Sequence, residues 1–281
     1  MLCTLHAKHR GIYGVPRMKA LLKRNGIAIS NRRLERLMKE NGLVGVSKRR
    51  KPKQTKQLPE TDNADDLVKR NFSAAGPNEV WFADITYVKT REGWLYLAVV
   101  FDIWSRMIVG WAMDEHINAA LVDEALRMRI TLRRPNQGLI HHSDHGSQYR
   151  SLLLGKTMKD YGITPSMGAI ASPWDNAVTE SLMSTIKAEG VHFKVFESRD
   201  QAEIEIFEYI EAFYNRLRLH TSLGNLSPLE FEEMNGKMCV VKWNGFVDTM
   251  NRACGCFRAH TPMAINNPVK NARVLYCNIT L

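Results

Sequence analysis

Apolar residues recur with a helical period in two short segments near the N-terminus. Met18, Leu21 and Leu22 form one stripe, with Pro16 at a favourable helix start and Asn25-Gly26 as the stop signal. Leu34, Leu37 and Met38 form a second, which Ser30 can cap and Asn41-Gly42 ends. The spacing predicts a small all-α helix-turn-helix module over residues 1–46. Residues 47–57 read SKRRKPKQTKQ, too charged to fold alone, and with the polar stretch up to 75 they predict a linker. Past Gly76-Pro77 the period shortens. Three strand-like runs, 80–88, 94–101 and 107–111, are divided by Arg91-Glu92-Gly93 and Trp104-Ser105-Arg106, which predicts a β-meander. A helix over 118–132, a short strand at 139–141, a helix over 151–161, a strand over 163–167 and helices over 175–189 and 199–215 follow. Such an order predicts an α/β core over 76–236, a mixed sheet flanked by helices. Residues 237–281 form an atypical C-terminal tail.

Composition narrows the class. With 44% hydrophobic and 24% charged residues the 281-residue chain reads as an ordinary globular protein. Its longest apolar run, Trp94 to Phe101, is too short to cross a bilayer. The first ten residues lack the apolar stretch of a secretory signal, so a cytoplasmic, nucleoid-associated protein with no membrane partner is expected. Five irregularly spaced cysteines fit reduced thiols better than a disulfide framework. The net charge of +10 is unevenly placed. Residues 1–58 hold 16 Lys and Arg against Glu35 and Glu40, whereas the remainder has 23 basic and 27 acidic residues. Arg32, Arg36 and Lys39 recur at helical spacing opposite the apolar stripe, with Arg33 beside them, and Arg49 and Arg50 stand in the linker. These six are the candidate contacts to the phosphates of double-stranded DNA.

Three carboxylates are candidates for chemistry. Asp84 is a lone acid amid Trp81, Phe82, Ile85 and Tyr87, costly to bury unless it is paired or binds a cation. Asp144 follows an apolar strand in HHSDHGSQY, and strand ends are where sites form in such sheets. Glu180 lies in WDNAVTESLMSTIKAE with Lys187 seven residues on, hence on the same helix face. Oxygen donors from two strands and a helix suit a pair of hard divalent cations. Pattern alone leaves that reading level with one in which each acid makes a local salt bridge or cap.

WFADITYVKTREGWLYLAVVFDIWSRMIVGWAM, HHSDHGSQY, WDNAVTESLMSTIKAE and FYNRLRLHTSLGNLSPLEF together resemble the transposases of the third insertion-sequence family, specifically the product of the second reading frame. The core of that family is similar to retroviral integrase. The separation of 59 residues between Asp84 and Asp144, and of 35 between Asp144 and Glu180, is similar to its Asp, Asp, Glu pattern, and Lys187 fills the basic position that follows. The resemblance implies an RNase H-like fold and two magnesium ions, replaceable by manganese, held by Asp84, Asp144 and Glu180. It implies metal-dependent cleavage at insertion-sequence ends and strand transfer by in-line transesterification, with Lys187 in the catalytic set and in contact with DNA. The implied partners are element ends and target DNA, further copies of the chain assembled on DNA, and the upstream-frame protein of the same element. Both ends depart from the family: the N-terminus is expected to be truncated, and the tail with Cys254, Cys256 and His260 matches nothing in it. A catalytically inactive DNA-binding remnant that regulates transposition is the alternative.

Other conspicuous residues carry blander expectations. His141 and His142 should point to opposite sides of a strand, so with His145 they suggest structure rather than zinc. Asp102, part of the family motif, is expected to pair with Arg106. Asp175 or Asn176 can cap the Glu180 helix. Tyr214, Asn215, Arg216, Arg218 and His220 suit either DNA tracking or surface packing equally. Cys3, His6 and His9 do not reproduce an integrase zinc module.

Overall fold

The computed structural model describes residues 1–46, 66–68, 73–135, 137–168, 177–191 and 195–235. The N-terminal module holds three helices: α1 (Leu2–Lys8), α2 (Val15–Arg24) and α3 (Asn31–Glu40). α1 is additional to the two the periodicity predicts. Pro16 lies in the first turn of α2, where its missing N–H leaves no bond unmade. Ser30 caps α3 by accepting the Arg33 N–H at 3.3 Å.

The second region is built on a five-stranded sheet: β1 (Val80–Thr90), β2 (Gly93–Asp102), β3 (Ile108–Asp114), β4 (Ile140–Ser143) and β5 (Thr164–Met167), in spatial order β3-β2-β1-β4-β5. β1 lies at the centre, antiparallel to β2 and parallel to β4. α4 (Ala119–Arg133) and α5 (Leu152–Asp160) start at Asn118 and Ser151, whose side chains accept N–H groups of the first turn. α4 lies so close to β3 that a Cβ on Gly110 would stand 2.2 Å from the Ala125 carbonyl oxygen. α6 (Ala177–Ile186) continues into a π-helical turn at Lys187–Val191, and α7 (Arg199–Phe207) into another at Glu208–Tyr214. α8 (Pro228–Met234) closes the described chain. Its start carries reciprocal Ser227 and Glu230 bonds with Pro228 in the first turn, a signal legible in SPLE that the sequence reading passed over.

The sheet divides two apolar clusters. Trp81, Ala83, Val100 and Val109 face Leu121, Ala125, Leu126, Leu154 and Met158 of α4 and α5. Phe82, Val88, Leu97, Val99 and Phe101 face Leu182, Met183 and Ile186 of α6 and Ile206, Tyr209 and Phe213 further on. Ile12, Tyr13, Met18, Leu22, Leu34 and Met38 of the N-terminal module belong to this second cluster. Each such side chain, when fully buried, stabilises by about 1.5–3 kcal/mol relative to exposure. The arrangement is the mixed sheet flanked by helices, behind a small helical module, that the sequence predicts. Residues 47–65 of the expected linker and the tail from 237 lie outside the described residues.

Candidate active site

Asp84 sits midway along the central strand, on the face that Phe82, Thr86 and Val88 share by twofold alternation. One carboxylate oxygen accepts the Ile85 N–H at 2.7 Å. Burial, and then the charge of Asp144, push its carboxyl up to about 7. The Ile85 N–H and the Lys187 ammonium pull the other way, and Glu180 adds to the rise. Asp84 therefore lies within electrostatic reach of all three other residues singled out in the sequence.

Strand pairing explains the closeness of the two aspartates. The parallel register aligns Val80 with Ile140, Trp81 with His141 and Phe82 with His142, so the chain leaves β4 beside the middle of β1 and Asp144 comes within electrostatic reach of Asp84. Asp144 stands just past the end of β4, exposed, and accepts the Gly146 N–H at 3.0 Å, which fixes the turn out of the strand. Glu180 is exposed in the first turn of α6, which crosses β1. Lys187 begins the π-helical turn and is half-buried. Among the described residues no basic side chain lies within ion-pair distance of Asp84, Asp144 or Glu180. Of the alternative, local salt bridges find no partners there, whereas Asp84 and Asp144 do each accept a local backbone N–H. The donors are also not drawn together: among the described residues no three acidic, histidine or cysteine side chains are close enough to share one ion.

The sequence reading missed Tyr149, the last residue of HHSDHGSQY. It is buried, its hydroxyl has no hydrogen-bond partner among the described residues, and burial together with Asp84 and Asp144 pushes it well above the ordinary phenol range. An aromatic five residues after an acid was the only signal. Glu189, discussed below, was missed as well.

Arg32, Arg33, Arg36 and Lys39 are all exposed on α3, opposite buried Leu34 and Met38, and Arg36 is 3.7 Å from Glu40. Arg49 and Arg50 lie outside the described residues, as do Asp175, Asn176, Cys254, Cys256 and His260. His141 packs against Tyr149 on one side of the sheet and His142 against Phe82 on the other, with the His142 ring 3.0 Å from the Ser166 hydroxyl. Burial holds His141 down to about 4, hence neutral.

Two expectations change. Asp102 does not pair with Arg106: it accepts the N–H groups of Asn78 (2.7 Å) and Trp104 (2.9 Å) and faces Arg133 of α4 at 3.5 Å. Arg133 in turn grips Glu232 of α8 at 2.7 and 2.8 Å, all three side chains being buried. The 214–220 segment, left between DNA tracking and surface packing, is largely internal. Tyr214, Asn215, Arg218 and His220 are buried, and Asn215 bonds both the N–H and the carbonyl of Ile108.

A five-stranded mixed sheet flanked by helices, with a helical module that carries an exposed basic helix ahead of it, is the arrangement of an integrase-core protein with a helix-turn-helix-like region. Residues 74–173 and 161–228 each match the Integrase core domain family, and residues 4–51 the HTH-like domain family. The chain belongs to the insertion-sequence transposases. It is 41% identical over 233 residues to the 31 kDa protein of insertion element IS600 from Shigella sonnei, covering 83% of this chain and 86% of the relative. It is 39% identical to the transposase for insertion sequence element IS904 from Lactococcus lactis, over 81% of this chain and 90% of the relative. It is 36% identical to transposase InsF for insertion sequence IS3A from Escherichia coli, over 79% and 77% respectively. Among solved structures, the catalytic core domain of BIV integrase matches 57% of this chain and 97% of its own, at 18% identity and a TM-score of 0.41. Among the described residues no helix is long and apolar enough to cross a membrane.

Proposed function

We propose that this transposase cuts DNA at the ends of its insertion sequence and joins them to target DNA by two in-line displacements, with Asp84, Asp144 and Glu180 as the holders of two divalent cations. The reading rests above all on Asp84, a half-buried carboxyl in the central strand, raised to about 7, with a second carboxylate within electrostatic reach and no ion-pair partner among the described residues. Hard oxygen donors that lack a cation fit magnesium, or manganese in its place. Such ions supply positive charge beside the phosphate and the attacking oxygen.

The chain's own residues do the rest. Asp84 and Asp144, within electrostatic reach of one another, fix where charge is concentrated. Glu180, in the first turn of α6, adds its charge at longer range, and Lys187 contributes a cation toward DNA phosphate. In the first step a water oxygen bonds to phosphorus as the bond to the 3′ oxygen breaks. The freed 3′-hydroxyl then attacks a target phosphodiester and its 5′-side strand leaves. Arg32, Arg33, Arg36, Lys39, Arg49 and Arg50 hold the duplex through its phosphates. Copies of the chain assemble on DNA, with the upstream-frame protein of the element as a further partner in a cytoplasmic, nucleoid-associated complex.

Nicking of supercoiled plasmid in magnesium or manganese tests the proposal, since it requires no knowledge of element ends. The wild-type chain should nick only with metal, and Asp84→Asn and Glu180→Gln should each lower the rate by about 100-fold or more. Metal-independent nicking shared equally by all three proteins would refute it. Salt-sensitive DNA binding without nicking would favour a non-catalytic regulator.

A further inference from the structure

Glu189 lies two residues past Lys187 in the π-helical turn, with its side chain buried. Arg218 grips it at two points, Nε to Oε2 at 2.5 Å and Nη2 to Oε1 at 2.7 Å. Arg17 of α2 reaches the same carboxylate at 3.2 Å, and the Tyr209 hydroxyl lies 3.4 Å from Oε2. A bidentate guanidinium fixes direction as well as distance, so the carboxylate has little freedom to turn. The backbone beside it is equally constrained. A Cβ on Gly190 would fall 2.9 Å from the Tyr209 ring, so the turn lies directly on that ring. π-turns recur at functional sites because they re-aim the side chains next to them.

The N-terminal module is attached at this same place. Tyr13 accepts the Leu219 N–H at 2.8 Å and donates to the Leu217 carbonyl at 3.3 Å, bracketing Arg218. The Arg17 guanidinium lies over the Tyr13 ring, 5.6 Å from its centre. One helical module thus touches both the backbone on either side of Arg218 and Glu189 itself.

We propose that Glu189 is a positioning residue that sets the Lys187 end of the Glu180 helix, and that Arg17 makes this setting depend on how the N-terminal module is seated. The proposal rests on the reading of Asp84, Asp144 and Glu180 as the reacting site. It gives the module a part in the chemistry beyond holding DNA.

Glu189→Gln would leave buried Arg218 without its anion and is expected to unfold the chain, so the test falls on Arg17, whose loss leaves that pair intact. In the full chain, Arg17→Ala should speed amide exchange over residues 181–191 by about tenfold while β1 and β2 amides stay within about twofold. Displacing a catalytic group by 1 Å costs up to ~100-fold, so the partial loosening should lower metal-dependent nicking by about tenfold. Plasmid affinity should stay within about twofold, and Arg17→Lys should recover most of the nicking, because a single ammonium can still reach the carboxylate. Unchanged exchange over 181–191 would overturn the proposal. So would a nicking loss that follows weakened DNA affinity or a smaller folded fraction. Should wild type and Glu180→Gln nick alike, the reading of the site fails, and amide exchange still decides whether Arg17 holds the turn.

Discussion

The buried Asp102–Arg133–Glu232 group ties the end of β2 to α4 and α8, and Arg133→Met isolates what it contributes. Glu232 is 1% exposed, and both its oxygens rest on the same Arg133 nitrogen at 2.7 and 2.8 Å. Asp102 is 0% exposed but keeps the Asn78 and Trp104 N–H groups when Arg133 is gone. Most of the loss therefore falls on Glu232. Removing one partner of a buried pair typically costs about 3–5 kcal/mol, because a charge stays buried uncompensated. For a unit of this size each kcal/mol moves the melting point by about 2–4 °C, which gives a fall of roughly 6–20 °C. The pH dependence has a defined sign. Without Arg133 the Asp102 carboxyl, already raised by burial, binds its proton still more tightly in the folded state, so the variant's deficit should shrink as pH falls from 7.5 to 5.5. The wild type already shows the same sign at Asp102, which burial raises to about 6: stability from its proton is full below the unfolded value and is lost as pH rises through 6. Thermal and urea unfolding at the two pH values measure this. A variant within about 1 kcal/mol of wild type at pH 7.5, or a deficit that grows on acidification, would refute the reading of Arg133 as the buried cation that holds this group together. Adding Glu232→Leu should restore at least half of the loss, since an apolar replacement of the whole pair removes the stranded charge.

Three further outcomes are expected. Tyr13→Phe leaves the Leu219 N–H buried without an acceptor and should destabilise by about 1–3 kcal/mol in urea unfolding; a change below about 0.3 kcal/mol would show that the hydroxyl does not hold the module. Tyr149→Phe removes a buried hydroxyl with no partner among the described residues, so the chain should be no less stable, and a loss above about 1 kcal/mol would mean that the hydroxyl is bonded after all. Replacing Arg32, Arg36 and Lys39 together by Ala should reduce the slope of log affinity against log salt by about 0.9 for each phosphate no longer neutralised, measured by plasmid titration at several salt concentrations. An unchanged slope would mean that α3 does not touch DNA.

The candidate site was legible where local cost exposes function. Asp84 stands alone in an apolar strand, and an unpaired acid there must be explained by what it binds. Asp144 announces itself by following four strand residues and preceding Gly146. What local pattern cannot supply is a partner distant in sequence. Asp102 was assigned to Arg106, four residues away, because the turn offered no nearer cation. Its partner sits in α4 thirty-one residues on, and Arg106 occupies a left-handed turn with φ 58°. The polar and aromatic run from Tyr214 to His220 likewise reads as surface until its ion pair with Glu189 is known. π-turns escape for a different reason: one extra residue per turn leaves the helical pattern of apolar positions nearly unchanged, so 175–189 reads as one uninterrupted helix.

The same limit explains why the N-terminal module looks detachable in the sequence. Met18, Leu22, Leu34 and Met38 could satisfy one another across a helix pair, and nothing in their spacing tells whether more apolar surface is waiting. Periodicity counts the positions that must leave water and is silent on what covers them. Tyr13 is the residue that breaks this symmetry. Wholly buried, it belongs to the cluster of Tyr209 and Phe213, and its hydroxyl serves backbone more than two hundred residues away. Burial pushes that phenol up to about 12, so it remains a neutral hydrogen-bonding group throughout the range in which DNA is handled. If the proposal for Arg17 and Glu189 holds, a force on the module would act on the backbone around Arg218 and, through Glu189, on the turn that carries Lys187. In this fold the N-terminal module and the turn that carries Lys187 are joined by shared core and buried charge as well as by the chain between them.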